Sequence, residues 1–361
     1  MNSKLSSGWL YCVAAALLCL GCGDDDSSPA NSAGSATGAS EDTTGADPST
    51  TGASTGVDGS DAPEVEQLVA LDPAAMELPD GVELLPDGTL VASLPFLSEL
   101  RTYDPDSGEE LGRHTVPARF ARLWSTSTAL FGTTPESVAN PDFDPVEHAD
   151  LQGIWQWSPG SEASLVTRLP GDTFPQNVAV LPDGTPIASD SFGRLYVPGS
   201  TVEEAELWLE SPLLEGDPAL PGPPDRFPVP IGANGMDVVG NDLFVTVTDY
   251  GRVVRIPLDG GQPGTPEVFV ENDDLFGIAS VDFDDAGNFY AASPFQNTVL
   301  RYVSASQDVE VLANADDGLS GPSHATLSED EQTLWVANFA FVPSADGTQN
   351  PGVIRITGFA P

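Results

Sequence analysis

The 361-residue sequence has only three cysteines, and all of them lie at its N-terminus, at Cys12, Cys19 and Cys22. The rest of the chain therefore has no disulfide, no thiolate nucleophile and no cysteine-based zinc site. The sequence also has only three histidines, which argues against a histidine-rich metal site. Stability must come from the burial of a large apolar core.

Positive charge is equally scarce, because Lys4 is the only lysine and 12 basic residues face 55 acidic ones. The formal net charge is −43. Such a charge argues against nucleic acid or an anionic lipid surface as a partner. It is compatible with divalent cations, with cationic ligands, or simply with solubility in a saline exterior.

The N-terminus is typical of an export signal: one lysine, the apolar run WLYCVAAALLCL and then a small residue. The run is shorter than the ~20 apolar residues of a membrane span. It resembles a bacterial lipoprotein signal, in which residues 1–21 are removed and Cys22 is lipidated. The alternative is plain secretion, since Cys19 stands where leucine is usual. We expect an exported protein, lipid-anchored at the outer membrane on the periplasmic or cell-surface side, or secreted if Cys22 is not lipidated.

Residues 22–63 consist mainly of Gly, Ser, Thr, Ala and Asp, with almost nothing large or apolar. Such a segment cannot bury enough surface to offset the entropy of ordering, so we predict a disordered acidic tether. No second linker of this kind follows, and we expect residues 64–361 to form one domain. The domain would meet the membrane only through the lipid anchor, as a monomer.

Strand signals dominate this domain, as short apolar or alternating runs bounded by Gly, Pro, Asp and Asn. The best helical candidate is the short run STVEEAELWLE. Five segments share one pattern: a loop residue, an apolar strand, a tight turn of the Asp-Gly type, and a second strand that ends in small residues. The first two are DGVELLPDGTLVAS and QNVAVLPDGTPIAS.

The spacing of these turns sets the number of repeats. The turns lie at Gly88, Gly184, Asn241, Gly287 and Glu331, and the first interval of 96 residues is about twice the later ones of 57, 46 and 44. A cryptic copy, Phe120–Gly160, fills the long interval. Six units of roughly 45 residues predict an all-β, six-bladed β-propeller. The run Val65–Asp72 would complete the last blade and close the ring, which removes exposed sheet edges.

The loops that lead into each blade should meet the loops between second and third strands around one mouth of the central channel. Oxygen-rich side chains that converge there suit a hard cation such as Ca²⁺. The alternative is that these Asn and Asp residues only satisfy loop amides in Asx turns. The residues expected at this mouth are Asp80, Arg122, Asn177, Asn234 and His324 from the first strands, and Asp190, Asp249 and Asn338 from the ends of the second strands.

The runs PDGVELLPDGTLVAS, NGMDVVGNDLFVT and GPSHATLSEDEQTLWVAN resemble the SMP-30/gluconolactonase/LRE-like propellers, over most of Pro79–Gly358. The resemblance implies one Ca²⁺ or other divalent metal that polarises a lactone or ester carbonyl. Carried over by position, Asp80, Asn177 and Asn234 would be the metal ligands, with Asp80 where the family has glutamate.

The fifth blade departs from the family, because Phe276 or Ala279 stands where the family has its base aspartate. The upstream pair Asp273–Asp274 would compensate only if the loop is shifted, and His324 is the alternative general base. Two functions therefore stay open. One is a metal-dependent hydrolase of small lactones or esters, and the other is a non-catalytic propeller that binds a small-molecule ligand or a protein at the cell surface.

Overall fold

The structure is a computed structural model that describes residues 62–135, 149–219, 230–341, 344 and 346–359. The predicted signal, Cys22 and the tether lie outside these residues. The described residues form strands and six short 3-10 turns, and none of their helices is long and apolar enough to cross a membrane. In chain order the strands are β1 (Glu64–Ala70), β2 (Gly81–Leu84), β3 (Leu90–Leu94), β4 (Glu99–Tyr103), β5 (Glu110–Thr115), β6 (Leu123–Ser125), β7 (Leu130–Thr134), β8 (Gly153–Trp157), β9 (Ser164–Arg168), β10 (Pro175–Val180), β11 (Pro186–Asp190), β12 (Phe192–Thr201), β13 (Glu204–Glu215), β14 (Ala233–Val239), β15 (Asp242–Val247), β16 (Arg252–Asp259), β17 (Gln262–Pro263), β18 (Glu267–Glu271), β19 (Asp282–Phe283), β20 (Phe289–Ser293), β21 (Thr298–Val303), β22 (Asp308–Ala313), β23 (Pro322–Leu327), β24 (Thr333–Asn338) and β25 (Gly352–Thr357).

These strands form six antiparallel sheets, which are the blades of a six-bladed β-propeller. Blades 1, 2, 3 and 5 are β2–β5, β6–β9, β10–β13 and β19–β22, and blade 4 is β14–β18. Blade 6 contains β23, β24 and β25, and β1 pairs with β25 as its outer strand. The predicted propeller, the cryptic blade 2 and the closure of the ring by the N-terminal strand are therefore confirmed. Closure by β1 ties the two ends of the domain together, so the ring has no open joint.

The core repeats with the blades, because each of six apolar clusters lies between two neighbouring sheets. Leu85 and Leu123, for example, belong to the cluster between blades 1 and 2, and Leu243 packs between blades 3 and 4. Burying a side chain of this size contributes about 1.5–3 kcal/mol. The domain thus gains its stability from contacts between blades.

The innermost strands β2, β6, β10, β14, β19 and β23 each contact the next around the ring and surround the channel. Glycine permits their close approach at two places. A Cβ atom on Gly235 would lie 2.6 Å from Cα of Ser280, and one on Gly81 would lie 2.6 Å from the carbonyl oxygen of Ala121. A larger residue would push the inner strands apart at the places where the channel begins.

The helical candidate STVEEAELWLE is wrong, since its residues end β12 and begin β13 of a long antiparallel hairpin. Apolar packing explains the difference, because Leu209 pairs with Leu195 across the hairpin and packs with Trp208 against one apolar cluster. Trp208 packs on the cluster between blades 3 and 4, and its indole N–H donates to the Gly261 carbonyl at 3.0 Å. Packing against the neighbouring blade therefore overrides the local helical preference.

Candidate functional site at the channel mouth

The channel has two ends, which we call the mouth and the turn end. The mouth is where the inner strands begin and the second strands finish, and the turn end carries the tight turns between them. Three inner strands have a β-bulge at the mouth, where pairing shifts between Pro175 and Val178, between Ala233 and Met236, and between Pro322 and His324. Bulges redirect side chains and are common beside functional sites. They place Asn177, Asn234 and Ser323 in irregular backbone at this mouth.

An ion pair crosses the mouth from blade 2 to blade 1. Nε of Arg122 lies 3.2 Å from Oδ1 of Asp80, and an Nη1 hydrogen of Arg122 is donated to the Ser323 carbonyl of blade 6. The hydroxyl of Ser323 in turn donates to the Asp80 carbonyl at 2.9 Å. The Arg122 residue is 6% exposed, so burial lowers the pKa of its guanidinium and the Asp80 carboxylate opposes that shift. Arg122 thus links three blades through a compensated charge.

His324 follows Ser323 on β23 and is buried beside this ion pair. Its Nδ1 lies 2.9 Å from the Val82 carbonyl oxygen and 3.3 Å from the Val82 nitrogen, so the ring joins blade 6 to blade 1. Burial and then the positive charge of Arg122 lower the pKa of His324 to about 3, although the hydrogen bond to Val82 acts in the opposite direction. The imidazole is therefore neutral near pH 7 and is a weak proton acceptor for hydrolysis.

Asn177 and Asn234 stand on neighbouring inner strands and each has one buried amide atom without a partner. Oδ1 of Asn177 accepts from the Val178 N–H at 2.7 Å, which leaves Nδ2 unpaired. Nδ2 of Asn234 donates to the Thr248 hydroxyl at 3.0 Å, which leaves Oδ1 unpaired. Ser189 connects the two residues, since its Oγ accepts from the Asn177 N–H and donates to the Asn234 carbonyl. An unpaired donor and an unpaired acceptor therefore lie in adjacent strands.

The orientation of the Asn234 amide follows from its neighbours. The Thr248 hydroxyl donates to the Ile278 carbonyl at 2.9 Å, so its oxygen must accept from an N–H of Asn234. A flipped amide would set two acceptors against each other. The unpaired atom of Asn234 is therefore the oxygen.

The three residues predicted from second-strand ends lie at those ends, and their side chains bind loop backbone. The Asp190 carboxylate accepts from the Phe174 N–H at 2.7 Å and pairs with Arg194. Asp249 accepts from the Ile231 N–H at 2.8 Å, and Oδ1 of Asn338 accepts from the Ser320 N–H at 2.7 Å. Burial raises the pKa of Asp190 against these contacts. The three side chains hold the loops around the mouth.

The fifth blade brings no carboxylate to the mouth through the residues considered from sequence. Ala279 is buried, and its N–H donates to the Ala292 carbonyl at 2.8 Å. Phe276 ends the short 3-10 turn Asp273–Leu275. The side chains of Asp273 and Asp274 in that turn are exposed.

Sequence reasoning missed three carboxyls near the turn end, Glu83, Asp237 and Asp282, which we call the turn-end carboxyls. They lie on the inner strands of blades 1, 4 and 5. Asp237 accepts from the Phe283 N–H of blade 5 at 3.0 Å, and Asp282 accepts from the Leu327 N–H of blade 6 at 2.7 Å. An acidic residue a few positions before the turn in VELLPDG, MDVVGND and VDFDDAGN was the available signal.

Burial raises the pKa of all three turn-end carboxyls, and repulsion by neighbouring carboxylates adds to the shifts of Glu83 and Asp282. Burial, and then the charges of Asp282 and Asp237, raise the pKa of Glu83 well above its ordinary value. Burial raises the pKa of Asp237 to about 6, and burial together with the charge of Asp237 raises that of Asp282 to about 8. No described basic side chain forms an ion pair with any of them. Their compensation comes from backbone N–H groups.

The mouth residues do not fit a divalent cation in this arrangement. Asp80 directs a carboxylate oxygen at Arg122, Asn177 leaves a nitrogen free, and only Asn234 leaves an oxygen free. A +2 ion about 4 Å from a guanidinium would be repelled by roughly 8 kcal/mol at an effective dielectric constant of 20. Across the described ranges, no three Asp, Glu, His or Cys side chains are grouped as a metal site.

The sequence matches no protein-family profile and no curated protein. Solved six-bladed propellers share the fold at low identity. Luciferin-regenerating enzyme is 12% identical with a TM-score of 0.57, over 83% of this chain and 96% of that one. The calcium-binding protein regucalcin from Agrobacterium tumefaciens is 16% identical with a TM-score of 0.56, over 81% of this chain and 93% of that one. Virginiamycin B lyase from Staphylococcus aureus is 12% identical with a TM-score of 0.53, over 82% of this chain and 99% of that one. The resemblance to SMP-30/gluconolactonase/LRE-like propellers is confirmed in the fold, which is what such identities can show.

Proposed function

We propose that this chain is an exported, lipid-anchored propeller that binds a small polar ligand at the channel mouth without metal-dependent hydrolysis. One observation carries the proposal: Nδ2 of Asn177 and Oδ1 of Asn234 are buried on adjacent inner strands and have no partner. A buried unsatisfied polar atom costs about 1–3 kcal/mol. Two such atoms, one donor and one acceptor, define a place that a ligand with a complementary acceptor and donor completes.

The charge of the mouth favours an uncharged ligand. Asp80 and Arg122 already compensate each other, and the net charge of −43 would repel an anion during its approach. An amide or a hydroxyl offers both a donor and an acceptor without charge. We therefore favour a small neutral molecule with an amide or hydroxyl group.

Aromatic side chains on the same face suit an apolar part of that ligand. Phe96, Phe339, Phe341 and Phe295 follow second strands of blades 1, 6 and 5 and are each half-buried. The Phe96 and Phe339 rings stack with centroids 6.0 Å apart, and Phe341 meets Phe339 at 5.5 Å and Phe295 at 6.3 Å. Small-molecule sites commonly combine such apolar walls with a few polar groups.

Hydrolysis lacks an activated base among these residues. Asp80 is held by Arg122, and His324 is held by Val82 with a pKa of about 3. A general base works best when its pKa lies near the working pH. The mouth therefore favours binding over chemistry.

A thermal-shift screen with neutral amides, polyols and lactones tests the proposal. A ligand that binds the folded protein at 100 times its Kd stabilises it by about 2.7 kcal/mol. We expect at least one compound to raise the Tm of the wild type, and Asn177→Ala and Asn234→Ala to abolish that shift. The control Asn241→Ala changes an exposed residue at the opposite face, and this variant should keep the Tm shift. A shift that survives both mouth substitutions would contradict the proposal, as would the absence of any shift in the screen.

The second candidate is the metal-dependent hydrolase of lactones or esters that the sequence resemblance implies. The free oxygen of Asn234 favours it, together with the fold shared with regucalcin, whose name describes it as calcium-binding. The same screen distinguishes the two functions. Lactone or ester turnover that needs Ca²⁺ or Zn²⁺ and is lost in Asn234→Ala would favour the hydrolase.

The anchoring part of the proposal rests on the N-terminal sequence. Lipidation at Cys22 predicts that the full chain sediments with membranes and that Cys22→Ser releases it into the soluble fraction. If the full chain and Cys22→Ser sediment with membranes equally, lipidation is contradicted. If both are found equally in the soluble fraction, plain secretion is favoured.

A further inference from the structure

We infer that the guanidinium of Arg122 is a tethered cation that occupies the role of a divalent metal at the channel mouth. Arg122 binds a carboxylate oxygen of Asp80 and the carbonyl oxygen of Ser323. Carboxylate and carbonyl oxygens are the ligands that a hard cation takes. The side chain reaches both from a third blade.

The surroundings of Arg122 are built for a fixed charge. The Arg122 residue is 6% exposed, and the side chain of Asp80 is 18% exposed. The Ser323 hydroxyl donates to the Asp80 carbonyl at 2.9 Å, and its oxygen lies 3.2 Å from the Ala337 carbonyl oxygen as an alternative acceptor, so the Ser323 segment is held in place. Arginine suits such a position because it stays charged when buried and its donors have a fixed geometry.

The free oxygen of Asn234 shows what removal of the guanidinium would leave. Asp80 would lose its cationic partner, while the Thr248 contact would still engage the Asn234 nitrogen and leave the Asn234 oxygen unpaired. The mouth would then carry one uncompensated carboxylate and one unpaired amide oxygen. We therefore expect substitution of Arg122 by a neutral residue to convert a metal-independent mouth into one that binds a divalent cation weakly.

This inference shares with the proposed function only the use of the mouth, and calcium titration without organic ligand tests it separately. The Tm of wild type and Arg122→Gln is measured against CaCl₂, with NaCl holding the ionic strength constant. We expect CaCl₂ at ten times its Kd to raise the Tm of Arg122→Gln by about 2–4 °C. The Kd of a weak calcium site is on the order of 10⁻⁴–10⁻³ M. Calcium should raise the Tm of wild type no more than it raises the Tm of the Asp80→Asn variant.

Two variants separate a site at the mouth from general binding by acidic surface groups. The double variant Arg122→Gln/Asp80→Asn removes the carboxylate and should lose the gain. Arg122→Lys keeps a positive charge and should stay insensitive to calcium. A folded Arg122→Gln protein that gains no calcium response would overturn the inference.

Wild-type protein keeps the inference testable if Arg122→Gln does not fold. The tethered cation predicts that wild type and Asp80→Asn respond equally to calcium. A larger Tm gain or a tighter calorimetric binding isotherm in wild type would mean that a metal binds beside Arg122, and would contradict the inference.

Discussion

At the mouth of the channel the carboxylate of Asp80 lies 3.2 Å from the guanidinium of Arg122, whereas at the turn end burial raises the pKa of Glu83, Asp237 and Asp282, and repulsion between carboxylates adds to the shifts of Glu83 and Asp282. Blade 1 contributes to both sets, with Asp80 immediately before β2 and Glu83 within it. The mouth is compensated by a side chain of opposite charge, and the turn end is compensated by backbone N–H groups and by protonation. Buried acidic residues in one channel therefore have two different effects on stability, which are set by their partners.

The contributions of the two ends to stability should change with pH in opposite directions, and the contribution of the turn end should change more. The folded pKa values of Asp237 and Asp282, about 6 and about 8, lie above the ordinary aspartate value near 3.9. Raised carboxyl pKa values mean stability that is present below pH ~4 and is lost as pH rises to ~8. We expect a loss of several kcal/mol across that range, measured by urea unfolding.

Surface repulsion in so acidic a protein acts in the same direction, so a variant must isolate the turn end. Asp237→Asn/Asp282→Asn removes two of the three turn-end carboxyls and should make the loss of stability between pH 4 and 8 clearly less steep. An unchanged pH dependence in this variant would assign the effect to the surface instead.

Removal of Arg122 should give the next largest effect. Breaking a buried ion pair by removing one partner costs about 3–5 kcal/mol, and partial exposure of Asp80 places Arg122→Gln near the lower value. The control Arg113→Gln breaks the exposed pair with Glu110 and should cost much less, because solvent screens that pair. Equal losses of unfolding free energy in the two variants, measured by chemical denaturation, would mean that burial does not strengthen the ion pair between Arg122 and Asp80.

The ring geometry explains how much of this comparison the sequence could predict. The turn spacing predicts six blades, because each turn marks one hairpin of fixed length, and the candidate mouth residues do come from first and second strands. The pairing of Asp80 with Arg122 depends on which side chains of blades 1, 2 and 6 face each other, and that follows from bulges and closure. The meeting of Glu83 with Asp282 likewise joins residues about 200 positions apart. Local patterns carry no information on such contacts.

His324 should change stability with pH in the opposite direction to the turn end. Its folded pKa of about 3 lies below the ordinary histidine value near 6.5, so the unfolded chain binds a proton that the folded chain does not. Its contribution to stability is present above pH 6.5 and is lost as pH falls toward 3. We expect a slope of up to about 1.4 kcal/mol per pH unit on the acid side.

The His324→Gln variant isolates this slope. It should be less stable than wild type at pH 7, because the contact with Val82 changes, but its stability should fall less steeply between pH 6 and 4. Parallel curves for the two proteins would show that His324 takes up a proton in the folded state.

The most direct measurement makes the same chemical change at both ends of the channel and compares the signs. Asp80→Asn and Asp282→Asn each replace a carboxylate by its neutral isostere, and the free energy of unfolding is measured in urea at pH 8. We predict that Asp80→Asn lowers stability by about 2–3 kcal/mol, because it leaves Arg122 buried without its partner. We predict that Asp282→Asn raises stability by about 1–2 kcal/mol, because it removes a half-buried charge that Asp237 repels. Changes of the same sign in the two variants would contradict the account.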